Sequence, residues 1–242
     1  MNINNIFYGP DFLNGQYILS NDEAFHCQKV LRLQPEEKIF IVDGKGNLYY
    51  CNIVNYSKSL CNLDVIEHHM KWQKPKSGIH IAIAPTKNIS RFEFFLEKST
   101  EIGVTEFTPL LCRHSERTSV NINRMKKIII SAMKQSKQAI LPKLNEPIVF
   151  NSFISKSNDG KTKYIAHYER DNSSLFNAAK PGKPVLILIG PEGDFTAKEM
   201  TMAKESGFSS VSLGSSRLRT ETAGIAACHT LNLINDNETN KI

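Results

Sequence analysis

The feature that most constrains the fold is an alternation of strand and helix patterns that begins at Ile79. Short apolar segments typical of strands lie at residues 79–84, 105–111, 163–167, 184–189 and 210–213. Amphipathic segments typical of helices lie at residues 90–102, 121–138, 196–206 and 220–233. Strands that alternate with helices form a mostly parallel sheet with helices on both faces, so the sequence predicts an α/β fold for this region.

Two of the predicted helices carry capping signals. Gly103 directly follows the segment 90–102, where a glycine readily adopts the left-handed conformation that ends a helix. Thr196 and Glu199 have the spacing of a capping box, in which each side chain bonds the backbone N–H group of the other. These signals predict one helix that ends at residue 102 and another that begins after residue 196.

Residues 1–70 show a different pattern, in which short β segments are separated by turns. Strands are predicted at 16–19, 38–42, 48–53 and 62–66, with one short helix at 22–31. Many short strands in so few residues favour a small β-barrel. The polar, turn-forming segment 71–78 is then a linker, and an α/β domain follows at 79–242.

The composition excludes several classes of protein. Hydrophobic residues are 40% and charged residues 22% of the 242, which is typical of a globular chain. No apolar run reaches the ~20 residues of a membrane helix, and the N-terminus lacks the apolar stretch of a signal peptide. The five cysteines form no C-x-x-C pair, and the histidines lack metal-ligand spacing. We therefore expect a cytoplasmic protein without disulfides, a metal or a membrane span.

The net charge of +6 is concentrated in one segment. Residues 76–143 hold 12 Lys and Arg against 5 Asp and Glu, while the rest of the chain is nearly balanced. Clustered cations favour a polyanionic partner, because they release the counterions condensed on phosphates. A solvated helix face that happens to be basic explains the same count.

The first segment with chemical potential is Ile-Gly-Pro-Glu-Gly-Asp-Phe-Thr at 189–196. It leaves an apolar strand and enters a capped helix, at the edge where open α/β sheets bind ligands. Gly190 and Gly193 permit close approach of the backbone. Glu192 and Asp194 disfavour a phosphate, and they suit a cationic or zwitterionic ligand better. An ordinary Gly-Pro turn before a helix accounts for the same residues.

The second segment, Leu-Gly-Ser-Ser-Arg-Leu-Arg-Thr-Glu-Thr-Ala at 213–223, also joins a strand to a helix. The two segments are therefore expected to lie side by side on one sheet edge. Thr220 and Glu221 are explained by a helix cap and a favourable helix dipole. Arg217 and Arg219 oppose that dipole, which suggests a partner that is anionic or becomes so during a reaction.

Together these two segments resemble the C-terminal signatures of the RsmE family of ribosomal-RNA uridine-N3 methyltransferases, in the SPOUT superfamily. Further matches lie at residues 26–33, 43–46, 91–93, 98–104, 135–136 and 141–142. The resemblance covers nearly the whole chain, and the order and spacing of the motifs make it specific. It implies a PUA-like, RNA-binding N-terminal barrel and a C-terminal α/β domain with a trefoil knot.

The resemblance also implies a function. Members bind S-adenosylmethionine in the knot, work as homodimers, and methylate N3 of a uridine in small-subunit (16S) ribosomal RNA. The substrate would be RNA within an assembled or late-assembling subunit. The cofactor pocket would include the turn after the strand at 163–167 and the residues His167, Ile189, Gly190, Glu192, Gly193, Leu213, Gly214, Ser216 and Leu218.

Roles in the reaction follow as hypotheses. We expect Arg219 to stabilise the negative charge that develops on the uracil ring, and Glu221 to act as base or to orient the arginine. The residues expected to contact RNA phosphates are Lys29, Arg32, Arg113, Arg117, Arg124 and Lys134.

Some positions depart from the family pattern. Asp194 stands where a second glycine is common, Ser216 stands where many members have arginine, and Gln138 replaces another common arginine. Two other functions stay open. A non-catalytic ribosome-assembly factor would share the basic helix and the barrel, but it would not need the two glycine-bearing segments. A related knotted methyltransferase would act on transfer RNA or on a ribose 2'-hydroxyl.

Overall fold

The computed structural model describes residues 5–10, 12–13, 16–74, 77–156, 160–167 and 173–239. The chain forms two compact units. The first comprises Met1–Lys74 and Ile130–Leu141, and the second comprises Pro75–Ile129 and Pro142–Ile242. Residues 75–76 of the predicted linker lie outside the described residues.

The first unit contains a six-stranded sheet. Its strands are β1 (Ile6–Tyr8), β2 (Phe12–Leu13), β3 (Gln16–Ser20), β4 (Lys38–Val42), β5 (Leu48–Ser57) and β6 (Leu60–His69), in the order β1–β4–β5–β6–β3–β2. Only β1 and β4 pair in parallel among these described strands. A Cβ atom on Gly9, just after β1, would come within 3.2 Å of the Tyr17 ring in β3. The two edges therefore approach each other, and the sheet is curled as the predicted barrel requires.

The helix predicted at 22–31 forms in two pieces. An α-helical turn, α1 (Asn21–Phe25), continues directly into a π-helical turn at His26–Val30. Ala24 and Cys27 are buried in the core between these turns and the sheet. Lys29 lies on the exposed side of the π-helical turn.

The second unit contains a seven-stranded sheet in which every pair of described strands is parallel. Its order is β10–β8–β7–β12–β11–β13, and β9 also pairs with β8. The strands are β7 (Ile79–Ile83), β8 (Glu106–Leu111), β9 (Lys143–Leu144), β10 (Ile148–Val149), β11 (Thr162–Ala166), β12 (Val185–Ile189) and β13 (Ser209–Val211). Every residue of β7 and β12 is buried, as the continuous apolar pattern of a central parallel strand predicts. The α/β prediction is confirmed.

The remaining helices are α2 (Ile89–Ile102), α3 (Ile122–Gln135), α4 (Phe150–Ile154), α5 (Leu175–Ala178), α6 (Ala197–Glu205) and α7 (Thr220–Thr239). Both capping predictions are confirmed. Gly103 has φ 114° and its N–H bonds the carbonyls of Ser99 and Thr100, while Thr196 and Glu199 form the capping box of α6. α3 is shorter than its predicted range of 121–138, because Lys137 adopts φ 55° and Gln138 N–H bonds the Met133 carbonyl.

The division into units differs from the expected boundary in one respect. Residues 130–141, which the sequence pattern grouped with the α/β domain, belong to the first unit. Met133 and Ala139 are completely buried in a cluster with Phe40, Val42 and Leu48. The end of α3 therefore contributes apolar surface to the core of the first unit.

After β13 at the sheet edge, the chain turns back toward the middle of the sheet. α7 packs against α2 and contacts the central strands β7 and β12. The knotted path implied by the resemblance requires a return of this kind. Within the described part of the chain, no helix is both long and apolar enough to cross a membrane.

Candidate active site

A cavity of about 340 Å³ lies at the carboxyl edge of the parallel sheet, where β11, β12 and β13 end. These three strands are neighbours, so the loops that follow them meet in one place. The cavity is lined by Ala166, His167, Ile189, Gly190, Pro191, Glu192, Asp194, Leu213, Gly214, Ser216, Arg217, Leu218, Arg219, Thr220 and Ala223. The two segments that were expected to lie side by side therefore form its walls.

The loop after β12 is held in shape by backbone geometry and by one aromatic ring. A Cβ atom on Gly190 would lie 3.1 Å from the ring of Phe195, so a larger residue there would push this ring aside. Asp194 adopts φ 62°, and its Oδ1 accepts a 2.8 Å bond from the Phe195 N–H. The left-handed conformation explains why glycine is common in the resembled family at this position.

Gly193 is the one predicted cofactor residue that does not line the cavity. A Cβ atom there would meet Cβ of His114 at 3.0 Å, so the glycine faces His114 on the other side of the loop. The His114 Nδ1–H donates to the carbonyls of Gly193 and Asp194, at 3.0 and 3.1 Å. The physical reason for glycine at 193 is therefore the packing of His114 against the loop.

The position of Glu192 is fixed by a series of hydrogen bonds that begins at Arg117. The Arg117 guanidinium donates to the carbonyls of Thr86 and Lys87, at 3.1 and 2.8 Å. The Lys87 N–H then donates to Glu192 Oε1 at 2.9 Å. Arg117 was predicted to contact RNA, and the structure shows it holding the backbone that holds Glu192.

A histidine and a carboxylate add polar groups to the wall. His167 Nδ1 lies 3.2 Å from Asp194 Oδ2, and both residues line the cavity. The turn after this strand, which the resemblance includes in the pocket, begins at residue 168 and lies outside the described residues.

The loop after β13 closes the other side. Gly214 has φ 137°, a conformation that glycine adopts readily. The Thr220 hydroxyl donates to the Gly190 carbonyl at 3.0 Å and so ties this loop to the first one. Arg217 and Arg219 are exposed on the cavity wall. The walls thus carry carboxylates from one loop and guanidinium groups from the other.

Glu221 lies outside the cavity lining. It is only 8% exposed, and its Oε1 is 3.9 Å from Nε of Arg91 in α2. This position speaks against a base that touches the substrate, and the arginine beside Glu221 is Arg91 rather than the predicted Arg219. Arg91 belongs to one of the matching motifs, but no role for it was predicted.

The residues predicted to bind RNA have different surroundings. Lys29, Arg32 and Arg113 are exposed, and Arg32 adopts φ 56°. Arg124 makes a bidentate ion pair with Glu93, and Lys134 Nζ lies 2.5 Å from Glu23 Oε1 with only 17% of its side chain exposed. The ion pair of Lys134 with Glu23 therefore lies inside the first unit, and Lys134 is poorly placed to contact a phosphate.

Several lining residues were missed as ligand contacts. Asp194, Arg217 and Thr220 were noted only for charge or for capping, and Ala166, Pro191 and Ala223 carry no chemical signal of their own. Each of them lies within two positions, in the sequence, of a residue that was predicted to belong to the site. Among the described residues, no group of three or more His, Cys, Asp or Glu side chains is placed to hold a metal ion.

Comparison with known proteins identifies the class of this fold and site. A family model described as an RNA methyltransferase domain matches residues 73–232, and one described as an RNA methyltransferase PUA domain matches residues 19–66. The fold is thus that of an RNA methyltransferase with a PUA domain.

Individual relatives narrow the class. The Rickettsia conorii protein named "Ribosomal RNA small subunit methyltransferase E" is 30% identical over 225 residues, which is 91% of each chain. A crystal structure described as a probable rRNA-methyltransferase from Porphyromonas gingivalis has 39% identity and a TM-score of 0.89, over 97% of this chain and 99% of that one. The Neisseria gonorrhoeae ribosomal RNA small subunit methyltransferase E, solved bound to S-adenosyl methionine, has 29% identity and a TM-score of 0.85, over 96% and 98%. The chain belongs to the ribosomal RNA small subunit methyltransferase E family.

Proposed function

We propose that this protein transfers a methyl group from S-adenosylmethionine to N3 of a uridine in small-subunit ribosomal RNA. The observation that carries the proposal is the cavity at the carboxyl edge of the sheet, formed by the two signature loops. The names of its relatives support methyl transfer to small-subunit ribosomal RNA, and the S-adenosyl methionine bound to one of them supports this cofactor.

The residues of the cavity suit such a cofactor. S-adenosylmethionine carries a sulfonium, an amine and a carboxylate, and the walls offer both carboxylates and guanidinium groups. Ile189, Leu213 and Leu218 add apolar surface for the rest of the molecule. The cofactor residues proposed are therefore His167, Ile189, Gly190, Glu192, Leu213, Gly214, Ser216 and Leu218, with Gly193 acting through the shape of its loop.

When bound, the cofactor supplies an electrophilic methyl group, and the protein has to align the nucleophile and balance the charge. Uridine N3 carries a proton at neutral pH, and this proton would pass to solvent as the new N–C bond forms and the sulfur–methyl bond of the cofactor breaks. Negative charge then develops over the N3, O2 and O4 atoms. Arg219, exposed on the cavity wall, is placed to stabilise that charge. Glu221, beside Arg91 and outside the cavity lining, would orient arginine side chains rather than contact the substrate.

The finer points of the proposal concern organisation. Residues 1–70, within the first unit, would bind RNA as a PUA-like domain, and residues 79–242 would carry the reaction. We expect a cytoplasmic homodimer that needs no metal and acts on an assembled or late-assembling subunit. Light scattering of the purified protein tests the dimer, and activity in the presence of a chelator tests the metal.

The central experiment locates the methyl group. The protein is incubated with S-adenosylmethionine labelled in its methyl group and with small subunits that lack the modification. We expect label in the RNA, and mass spectrometry of the nucleosides should identify 3-methyluridine. Label on a ribose hydroxyl, label only in transfer RNA, or binding of the RNA without any transfer would each overturn the proposal.

A further inference from the structure

A second cavity in the same unit has no role in the proposed reaction. Its volume is about 520 Å³, and it lies between the first turns of α2 and α3 and the loop that precedes α3. It is lined by Ile89, Glu93, Arg117, Ser119, Val120, Asn121, Arg124 and Met125. This volume is within the usual range of ~300–1,000 Å³ for pockets that bind small ligands.

The charges of this cavity favour an anion. Its one acidic group, Glu93, is already engaged by a bidentate pair with Arg124. Arg117 uses two N–H groups on the carbonyls of Thr86 and Lys87, and its other N–H groups take no partner among the described residues. The lining therefore keeps one unneutralised guanidinium, which suits a phosphodiester.

The rest of the lining suits the other parts of a nucleotide. Ile89 and Val120, both partly exposed, offer apolar surface to a base or a ribose ring. Ser119 is exposed at the cavity and offers a hydroxyl that both donates and accepts hydrogen bonds. Single-stranded RNA is bound by positively charged grooves that follow its backbone.

This cavity is connected to the active site by one short loop. Arg117 lines it and holds the backbone at residues 86–87, and the Lys87 N–H holds Glu192 on the wall of the first cavity. We propose that the second cavity binds a nucleotide of the RNA strand that flanks the target uridine. This inference rests on the proposed function, since it takes the same RNA as its ligand.

The test uses a charge placed at the cavity mouth. In Ser119→Glu the new carboxylate repels the phosphodiester, and in Ser119→Trp the indole fills the space without a charge. We expect either variant to raise KM for unmodified small subunits about tenfold or more, with the affinity for S-adenosylmethionine unchanged. Ser152→Glu, an exposed serine on α4, is the matched charge control.

The outcomes separate this inference from the proposed function. If the wild type methylates the subunit and Ser119→Glu has the same KM as Ser152→Glu, only the second cavity is refuted as an RNA site. If the wild type transfers no methyl group, the proposed function fails. Direct binding of a labelled small-subunit RNA fragment then still decides about the cavity: weaker binding by Ser119→Glu and Ser119→Trp supports it, and unchanged binding overturns it.

Discussion

Arginines and carboxylates both line the active-site cavity, and they come from different loops. Glu192 and Asp194 follow β12, whereas Arg217 and Arg219 precede α7. Two cations before a helix N-terminus oppose the helix dipole, and this unfavourable placement is tolerated where charge has to be stabilised. At the scale of the residue, the cavity is therefore defined by carboxylates on one loop and guanidinium groups on the other.

The first prediction concerns Arg219. Arg219→Ala should slow methyl transfer by about 10²–10³-fold, because one preorganised electrostatic contact with the developing negative charge is lost. Single-turnover kinetics with cofactor bound measures the chemical step. Arg217→Ala is measured beside it, since Arg217 lines the same wall. A normal rate in Arg219→Ala, with the loss found in Arg217→Ala instead, would assign the role to Arg217.

The second prediction concerns Arg117 as a positioning residue. Arg117→Ala removes both bonds to the backbone at 86–87, which frees the Lys87 N–H to move away from Glu192. We expect the affinity for S-adenosylmethionine to fall about tenfold, with kcat at saturating cofactor changed much less. Arg117→Lys, which can still donate to one carbonyl, should recover part of the affinity. The matched control, Arg113→Ala, removes an exposed arginine nearby and should leave cofactor affinity unchanged. An equal loss in both alanine variants would contradict this role.

At the scale of the element, α6 shows how one helix start fixes the loop before it. Thr196 Oγ1 accepts the Glu199 N–H at 3.2 Å, and Glu199 Oε2 accepts the Thr196 N–H at 2.8 Å. The other oxygen, Glu199 Oε1, accepts the Arg113 N–H at 2.9 Å. The buried Glu199 carboxylate thus accepts hydrogen bonds from the backbone of Thr196 and of Arg113, and these bonds order the end of the loop between β12 and α6.

The third prediction tests this cap. Thr196→Ala removes the hydroxyl that accepts the Glu199 N–H, and we expect the free energy of unfolding to fall by about 1 kcal/mol. Thr201→Ala, an exposed position within α6, should change it by less than about 0.5 kcal/mol. Urea denaturation of both variants measures the difference. Equal stability of the two variants would mean that the cap contributes nothing to the fold.

At the scale of the whole molecule, a buried polar network lies at the opposite end of the sheet from the active site. His80 is 3% exposed near the start of β7, and its Nε2–H donates to Thr108 at 2.8 Å. Lys161 Nζ donates to His80 Nδ1 at 3.1 Å and to Glu106 at 2.7 Å. Burial, with the charges of Lys161 and Lys143, lowers the pKa of His80 to about 4, against the opposing effect of Glu106. This end of the sheet is therefore built around a neutral histidine.

The fourth prediction is a pH dependence of stability. Between pH 6.5 and about 4, His80 takes up a proton in the unfolded chain but not in the folded protein, so acidification favours unfolding. The free energy of unfolding should fall by up to about 3 kcal/mol over this range from this group. His80→Gln should flatten the slope, and the exposed control His229→Gln should keep it. Identical slopes in wild type and His80→Gln, measured by urea unfolding at several pH values, would refute the assignment.

Glu106 acts in a lower pH range. Burial raises its pKa, but hydrogen bonds from Asn145 and Lys161 and the nearby charges outweigh burial and lower it to about 2. The stability from this carboxylate is present above its ordinary pKa of 4.5 and is lost as the pH falls toward 2. Above pH 4.5, the change of the free energy of unfolding with pH in this network therefore comes from His80.

Much of the fold could be predicted because it is encoded locally. The alternating pattern, the left-handed glycine at 103 and the capping box at 196–199 depend on neighbours within a few residues, and all three are confirmed. The short elements β9, β10, α4 and α5 were not predicted, since two to five residues are too few to show a period. The family membership was likewise readable, because its motifs are continuous segments.

The roles of the charged side chains needed the tertiary structure. Arg124 and Lys134 have the same exposed-looking helical pattern in the sequence, but their partners are Glu93, 31 residues away, and Glu23, 111 residues away. The same holds for Arg117, because only the fold shows that its guanidinium holds the backbone at 86–87 while it lines the second cavity. By itself the sequence determined the longer strands and helices and the two loops that form the cavity. Only the folded chain decided which charges meet, because ion pairing depends on distances set by the packing of segments remote in sequence.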